Sequence, residues 1–162
     1  MGIGLRPVAD HELPVLERLW QLYKHDLSEF RDSHPDAQGL FKPGHMPFYF
    51  GDPNRRAYFI DADTGPVRFA LVIGVTDEPR GMGEFFVARS VRRRGVGRDA
   101  AIEVLRRHPG RWEIAFQEEN PGAARFWRGI ATELAGDAYQ EERRPVPGKP
   151  HIPPDVWLTF TV

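Results

Sequence analysis

A run of arginines followed by two glycines is the part of the sequence best suited to chemistry. Gly95 and Gly97 lie between a predicted strand, residues 84–87, and a predicted helix, residues 95–107. Glycine lets the backbone approach an anion without an obstructing Cβ, and the first turn of a helix offers unpaired N–H groups at its positive end. Charge-assisted donors would surround the same point, because the arginines of this segment are Arg92, Arg93, Arg94 and Arg98. The pattern predicts a phosphate-binding loop.

The composition of the chain bears on how this segment is interpreted. Of the 22 basic residues, 19 are arginine and 3 are lysine, so an arginine run by itself is typical of a solvated turn. A nucleic-acid-binding patch is disfavoured, because the net charge is −1 and no aromatic residues are interleaved with the arginines. Nucleotide-binding loops need a lysine after the glycines or a six-residue glycine pattern, and both are missing. The strand before the glycines and the helix after them favour the phosphate loop.

The composition also narrows the classes of function. The chain has 162 residues, enough for one domain with a buried core. The absence of cysteine excludes a disulfide framework, thiolate metal ligands and a cysteine nucleophile, and no spacing of His and carboxylate residues predicts a metal site. The sequence has no apolar run of membrane-spanning length and no signal-peptide pattern, so we expect a cytoplasmic protein that does not bind membranes.

Hydrophobic periodicity and turn residues predict a mixed α/β sheet in one domain, residues 1–162. An amphipathic helix follows the first strand, capped by Asp10 and apolar at three- and four-residue steps as far as Phe30. A long loop, residues 31–55, then carries several aromatic side chains. A strand, a crossover helix and another strand imply one parallel pair. The predicted strands are 3–8, 57–61, 67–75, 84–87, 112–116, 139–146 and 156–162, and the later helices are 95–107 and 121–134.

A second motif follows the strand predicted at residues 112–116. It reads Asn120-Pro121-Gly122-Ala123-Ala124-Arg125-Phe126-Trp127. Together with the first motif, Arg92-Arg93-Arg94-Gly95-Val96-Gly97, it resembles the GNAT superfamily of N-acetyltransferases, and bacterial predicted acetyltransferases in particular. The order of elements resembles that family over nearly the whole chain. The resemblance implies a single-domain GNAT-like fold of the α/β (α+β) class, with six to seven strands flanked by about four helices.

The resemblance also implies acetyl-CoA as the cosubstrate and names its contacts. The strand backbone would pair with the pantetheine arm and polarise the thioester carbonyl, the glycine loop would hold the pyrophosphate, and the second motif would border the coenzyme near its sulfur. Asn120 is equally well explained as a plain helix N-cap, and Trp127 fits an apolar helical stripe in the core. The implied coenzyme-binding residues are Phe85, Phe86, Val87, Arg92, Arg93, Arg94, Gly95, Val96, Gly97, Arg98, Asn120, Ala123 and Trp127.

Catalytic residues are less well defined. Glu84 is the best candidate for a general base, because it opens the strand that members of the family run beside the thioester; the alternative is an edge or bulge position facing water. Trp127 stands where many members have a tyrosine general acid, and an indole N–H is not a useful proton donor. Tyr139 or a water is a weak substitute. Weaker candidates for the base are Asp77, Glu78, His45 and Glu113.

The resemblance therefore implies transfer of an acetyl group to a primary amine by direct attack. We expect a small-molecule acceptor that enters between the first helix, the aromatic loop from Phe41 to Phe50 and the strand bearing Glu84. We expect no nucleic-acid partner and no metal, and a monomer and a homodimer both remain open. A non-catalytic domain that binds or senses acetyl-CoA is the alternative, because the tyrosine acid is missing.

Overall fold

Seven strands form one mixed sheet in the computed structural model, which describes residues 4–92 and 95–162. Along the sheet the strands lie in the order β1-β2-β3-β4-β5-β7-β6. β4 and β5 are parallel, and the other neighbouring pairs in this sheet are antiparallel. The strands are β1 (Gly4–Pro7), β2 (Arg55–Ala62), β3 (Gly65–Ile73), β4 (Arg80–Val87), β5 (Arg111–Gln117), β6 (Gln140–Arg144) and β7 (Asp155–Thr161). The mixed α/β sheet and its single parallel pair confirm the sequence prediction.

Three α-helices, not about four, accompany the sheet within the described residues: α1 (Leu13–Leu27), α2 (Val96–Arg107) and α3 (Pro121–Ala135). Short 3-10 turns cover Asp10–Glu12, Met46–Tyr49 and Arg89–Val91. The long segment between α1 and β2 holds only the second of these turns. Prolines and glycines interrupt any longer helix there; they are Pro35, Gly39, Pro43, Gly44, Pro47, Gly51 and Pro53.

Two elements, α1 and β4, differ from the prediction by more than two residues at one end. Asp10 does not cap α1, since it lies in a 3-10 turn that precedes the helix, and the helix ends at Leu27 rather than Phe30. β4 begins four residues earlier than expected, at Arg80, because Arg80 and Gly81 pair with β5. The start of the first predicted strand, Ile3, lies outside the described residues.

The core is divided between the two faces of the sheet. On one face, Phe69 and Phe86 of the sheet pack against Trp20 of α1 and against the Met46–Tyr49 turn. The other face packs against α2 and α3, where Trp112 of β5 and Leu105 of α2 are fully buried. Side chains alternate between the two faces along a strand, and β2, β3 and β4 contribute to both halves of the core. The buried side chains of β5 and β7 belong to the half beneath α2 and α3.

A β-bulge at Gly83 decides which face the second half of β4 presents. Leu71 of β3 pairs with Glu84, but its neighbour Val72 pairs with Met82, so Gly83 is an extra residue in β4. Without the bulge, Met82 and Glu84 would lie on the same face. With it, Met82 packs beneath α2 and α3, while Glu84 lies opposite Leu71 on the α1 face.

Replacing Gly83 by alanine is expected to destabilise the fold by about 1–3 kcal/mol. A Cβ at this position would overlap the hydroxyl oxygen of the buried Tyr49 and would lie 3.3 Å from the backbone oxygen of Leu71. Tyr49 must therefore move. Urea unfolding followed by tryptophan fluorescence measures the loss.

Gly129→Ala is the matched control. Gly129 lies inside α3, and a Cβ there would meet nothing within 4 Å. Alanine in an open helix interior is favoured over glycine by roughly 0.5–1 kcal/mol, so this variant should be slightly more stable than the wild type. Two variants of equal stability would contradict the crowding inferred at Gly83.

Candidate active site

A gap opens between β4 and β5 beyond the first two residues of their contact. The two strands pair only at Arg80 with Trp112 and at Gly81 with Glu113. The bulge at Gly83 follows at once, and a bulge bends its strand and increases its twist. The remainder of β4 therefore diverges from β5 and leaves one edge of its backbone without a strand partner.

The register of β3 and β4 identifies the backbone groups that line this gap. The N–H of Ala88 donates to the carbonyl of Val67 at 2.9 Å, and hydrogen-bonded residues alternate along an antiparallel ladder. Phe86 and Glu84 therefore bond to β3, whereas the N–H and C=O groups of Phe85 and Val87 point away from it, into the gap. The guanidinium of Arg92 reaches the carbonyl of Val87 from this side, at 2.7 Å.

The N-terminus of α2 lies beside the end of β4. Gly95 is its N-cap with φ of +72°, a left-handed conformation that favours glycine. The first N–H bonded within the helix is that of Asp99, which donates to the carbonyl of Gly95 at 3.1 Å. The three N–H groups before it, at residues 96–98, have no side-chain cap from the described residues. They form a potential anion-binding site at the positive end of the helix.

Close packing fixes this helix end against both neighbouring elements. A Cβ at Gly97 would lie 3.3 Å from Val87 of β4 and 3.9 Å from the ring of Phe126 of α3. The structure thus brings Val87 and Gly97, from one end of the predicted coenzyme site, together with the helix that carries the second motif.

The predicted arginines are bound within the protein to different degrees. Arg92 forms an ion pair with Asp26 of α1 in addition to its contact with Val87. Arg98 pairs with Asp99 at 2.8 Å and also with Glu133 of α3. Arg93 and Arg94 lie outside the described residues.

Residues of the second motif form an aromatic group on the α2–α3 side of the gap. Phe85 of β4 stacks on Phe126 at 5.6 Å between ring centroids and meets Trp127 edge-on at the same distance. Trp127 is buried. Asn120 is the N-cap of α3, since its Oδ1 accepts the N–H of Ala123 at 3.1 Å. The structure therefore agrees with Asn120 as a helix cap and with Trp127 as a core residue. A contact of either residue with coenzyme stays a prediction.

Glu84 lies on the other side of the sheet, among aromatic hydroxyls. The hydroxyl of Tyr23, on α1, donates to Oε2 of Glu84. Tyr49 lies beside the bulge, with its hydroxyl over Gly83. The structure thus brings together α1, the aromatic loop and the strand bearing Glu84, as the expected route for the acceptor requires.

Burial raises the pKa values of Glu84 and of the two tyrosines beside it. It raises the pKa of the Glu84 carboxyl, while the hydrogen bond from Tyr23 and the charge of Lys24 act in the opposite direction. Burial, and then the charge of Glu84, raise the pKa of Tyr49 to about 12, and the same two causes raise that of Tyr23 well above its ordinary value. Both tyrosines are therefore protonated, and Tyr23 acts as a donor, at every pH at which Glu84 titrates.

Two sets of ion pairs that the sequence did not indicate connect the C-terminal end of α1, and the residues just after it, to both sides of the gap. Asp26 pairs with Arg89 and Arg92, which follow β4. Arg31 pairs with Glu119, which follows β5, and at 2.8 Å with Asp155 of β7. The end of α1 is thus tied to both sides of the divergence. Only the apolar spacing of α1 was visible in the sequence, and pairs so far apart along the chain leave no local pattern.

Three of the other catalytic candidates, Tyr139, Asp77 and Glu78, lie away from Glu84. Tyr139 precedes β6 and is separated from β4 by β7 and β5, so the structure does not bring it to this site. Asp77 and Glu78 precede β4, at the end of that strand that pairs with β5. Glu113 is ion-paired with Arg144 at 3.4 Å.

Residues 4–92 and 95–162 contain neither a membrane-spanning helix nor a metal-binding cluster. None of the helices in those ranges combines the length and apolarity needed to cross a bilayer. In the same ranges, no three His, Asp or Glu side chains are grouped so as to hold a metal ion.

Solved structures with a similar fold include acetyltransferases. An acetyltransferase from Thermus thermophilus superimposes with a TM-score of 0.70 at 18% identity, over 100% of this chain and 98% of that one. Spermidine N-acetyltransferase from Vibrio cholerae, in complex with CoA and spermine, gives 0.68 at 12% identity, over 97% and 94% of the two chains.

A third similar structure is an aminoglycoside acetyltransferase in complex with coenzyme A and kanamycin, with a TM-score of 0.66 at 16% identity over 99% of this chain and 95% of that one. No protein-family model matches the sequence, and no curated protein matches it either. The likenesses establish that the chain has the fold of the GNAT acetyltransferases, as the sequence resemblance implied.

Replacing Arg31 by alanine is expected to lower the free energy of unfolding by about 1–3 kcal/mol, because it removes hydrogen bonds between charged groups that are mostly buried. Its side chain is only 17% exposed, and both of its carboxylate partners are 24% exposed. Arg143→Ala is the control. Arg143 pairs with Glu118, the residue next to Glu119, but the Arg143 side chain is half exposed, and exposed ion pairs contribute little to stability. Equal urea midpoints for the two variants would contradict a stabilising role for Arg31.

Proposed function

We propose that this protein is a GNAT-superfamily N-acetyltransferase that moves an acetyl group from acetyl-CoA to a primary amine of a small molecule. The observation that carries the proposal is the gap beside β4, which leads from the backbone of Phe85 to the uncapped N-terminus of α2. Its fold is that of acetyltransferases whose structures hold coenzyme A. Those proteins also hold amines, spermine in one and kanamycin in the other.

The gap suits an extended arm that ends in a pyrophosphate. Phe85 offers an N–H donor and a C=O acceptor to the gap, and Val87 offers an N–H donor, so the amide groups of pantetheine fit them as a missing strand would. The carbonyl of Val87 already accepts a hydrogen bond from Arg92. The N–H groups at the start of α2 suit the phosphates. Arg92 and Arg98 lie at the same end, and Arg93 and Arg94 belong to the same loop in the sequence. Asn120 and Ala123 border this arm from α3, and Trp127 supports them through packing.

The reaction follows from what surrounds the thioester. A backbone N–H of β4 donates to the thioester oxygen and stabilises the negative charge that develops there, which is worth a few kcal/mol. Glu84 takes a proton from the acceptor ammonium, directly or through water, and the free amine attacks the carbonyl carbon. The C–N bond forms, the C–S bond breaks and the thiolate leaves, and the second proton lost by the amine nitrogen passes to the thiolate, directly or through water. A thiol pKa near about 8.5 lets it leave without a strong acid, which suits a site with Trp127 in place of tyrosine.

Thiol release from acetyl-CoA tests the activity, with a panel of primary amines that includes spermine and kanamycin. Turnover that requires both substrates is expected. Tight binding of coenzyme with no turnover of any amine would contradict the proposed acetyltransferase activity and would favour a non-catalytic sensor domain.

Replacing Gly95 by valine is expected to abolish coenzyme binding. No atom lies within 4 Å of a Cβ at this position, so the effect would come from φ of +72°, which a β-branched residue does not adopt without strain. The first turn of α2 must then reorient, and its N–H groups no longer converge. Isothermal titration calorimetry with coenzyme A measures the loss.

Gly148→Val is the matched control for strain. Gly148 has the same φ, +72°, and equally open surroundings, but it lies between β6 and β7. The Gly148→Val variant should therefore be less stable than the wild type but bind coenzyme A with unchanged affinity. Unchanged affinity in Gly95→Val, or an equal loss in both variants, would count against the phosphate site at α2.

Replacing Glu84 by glutamine is expected to lower kcat by about 10²–10⁴-fold, the usual contribution of a general base. The base acts only when ionised, so the wild-type rate should fall as the pH falls through the pKa of Glu84, which burial raises. The acid limb therefore lies above the ordinary range of a glutamate and should vanish in the variant. A pH profile identical to that of the wild type would exclude Glu84 as the base.

A further inference from the structure

The two oxygens of the Glu84 carboxylate have different surroundings. Oε2 accepts the hydrogen bond from the Tyr23 hydroxyl. No hydrogen bond to Oε1 is formed by the residues that the structure describes. One oxygen is therefore fixed to the protein, and the other remains available to a ligand.

Packing holds the Tyr23 ring in place. It meets Phe69 edge-on at 5.5 Å and Phe86 at 6.0 Å, both on the sheet beneath α1, and it lies 5.5 Å from Trp20 one turn earlier in the helix. Phe69 and Phe86 also contact each other, with ring centroids 5.5 Å apart, and both are buried. Because the ring has little freedom, the hydroxyl has a defined position relative to β4.

The groups that face Glu84 come from each element packed against it. Tyr23 and Lys24 lie on α1, and Tyr49 comes from the 3-10 turn, with Arg55 of β2 over its ring at 5.2 Å. From β3 the facing residue is the apolar Leu71. Among these groups, Tyr23 donates a hydrogen bond to the Glu84 carboxylate.

We propose that Tyr23 is a positioning residue for Glu84, and that its hydroxyl holds Oε2 so that Oε1 is presented to the ammonium group of the acceptor. This inference rests on the proposed function. Donation by Tyr23 also stabilises the ionised form of the carboxylate, because a neutral hydroxyl donates better to an anion than to an acid. Tyr23 thus opposes the effect of burial and keeps the base ionised at a lower pH than burial alone would allow.

The test compares Tyr23→Phe with Tyr49→Phe. Both changes remove one hydroxyl near Glu84 and keep the ring, but only the first removes a hydrogen bond to the carboxylate. In Tyr23→Phe the titration midpoint of Glu84 should rise by about 1–2 pH units, the equivalent of one hydrogen bond to a charged group. In Tyr49→Phe the midpoint should stay in place, since Tyr49 is neutral throughout the titration.

The midpoint is measured without any substrate, by carbon-13 NMR of the glutamate carboxyls, with the Glu84 signal assigned by its absence from Glu84→Gln. The acid limb of kcat/KM, measured with the fastest amine of the panel, should move to higher pH by the same amount in Tyr23→Phe. A purely structural role for Tyr23 would lower activity at every pH and leave the limb in place.

The outcomes separate this inference from the function on which it rests. A Glu84 midpoint that is unchanged in Tyr23→Phe, or that moves equally in Tyr49→Phe, would overturn the inference even if the wild type transfers acetyl groups. A shifted midpoint together with a matching shift of the acid limb would support it. A wild type that turns over no amine would overturn the proposed function and, with it, the catalytic part of the inference.

Discussion

The structure depends on how little β4 and β5 pair. A parallel pair that continued to the ends of both strands would satisfy the backbone of β4 and leave no edge for a ligand. Here pairing ends after two residues, so the sheet consists of two halves joined at one end. Everything that binds or reacts in the proposed mechanism lies in or beside the resulting gap.

Because strand pairing does not hold the halves together beyond Gly81, side chains must do so. On the α2–α3 face, Phe85 of the first half packs against Phe126 and Trp127 of the second. On the α1 face, Arg31 follows the helix that packs on β3 and β4, and it pairs with carboxylates at the ends of β5 and β7. The aromatic group is apolar and the ion pairs are partly exposed, so the α1 side is the more easily opened of the two.

The sequence predicts the parts of this site that depend on local pattern. Gly95 and Gly97 start a helix because of what glycine permits, and Asn120-Pro121 starts another for the same local reason, so both motifs fall where they were expected. A bulge position was the alternative offered for Glu84, but the location of the bulge at Gly83 was not predicted, because the strand was expected to begin only at Glu84. Tyr23 appeared only as one apolar position in the stripe of α1. Its hydroxyl meets Glu84, 61 residues later in the chain, and only the tertiary fold brings the two together.

The glycines are a sounder basis than the arginines for the phosphate site. Arg92 and Arg98 both pair with carboxylates of the protein, so part of their charge is already compensated, and each must exchange one partner for another to bind an anion. The described side chains do not cap the N–H groups at the start of α2, so none of those side chains has to be displaced before these N–H groups bind an anion. Their direction is set by the backbone of Gly95. In a chain in which 19 of 22 basic residues are arginine, charge near a loop says little about its ligand. The backbone conformation that glycine makes accessible is the more specific property.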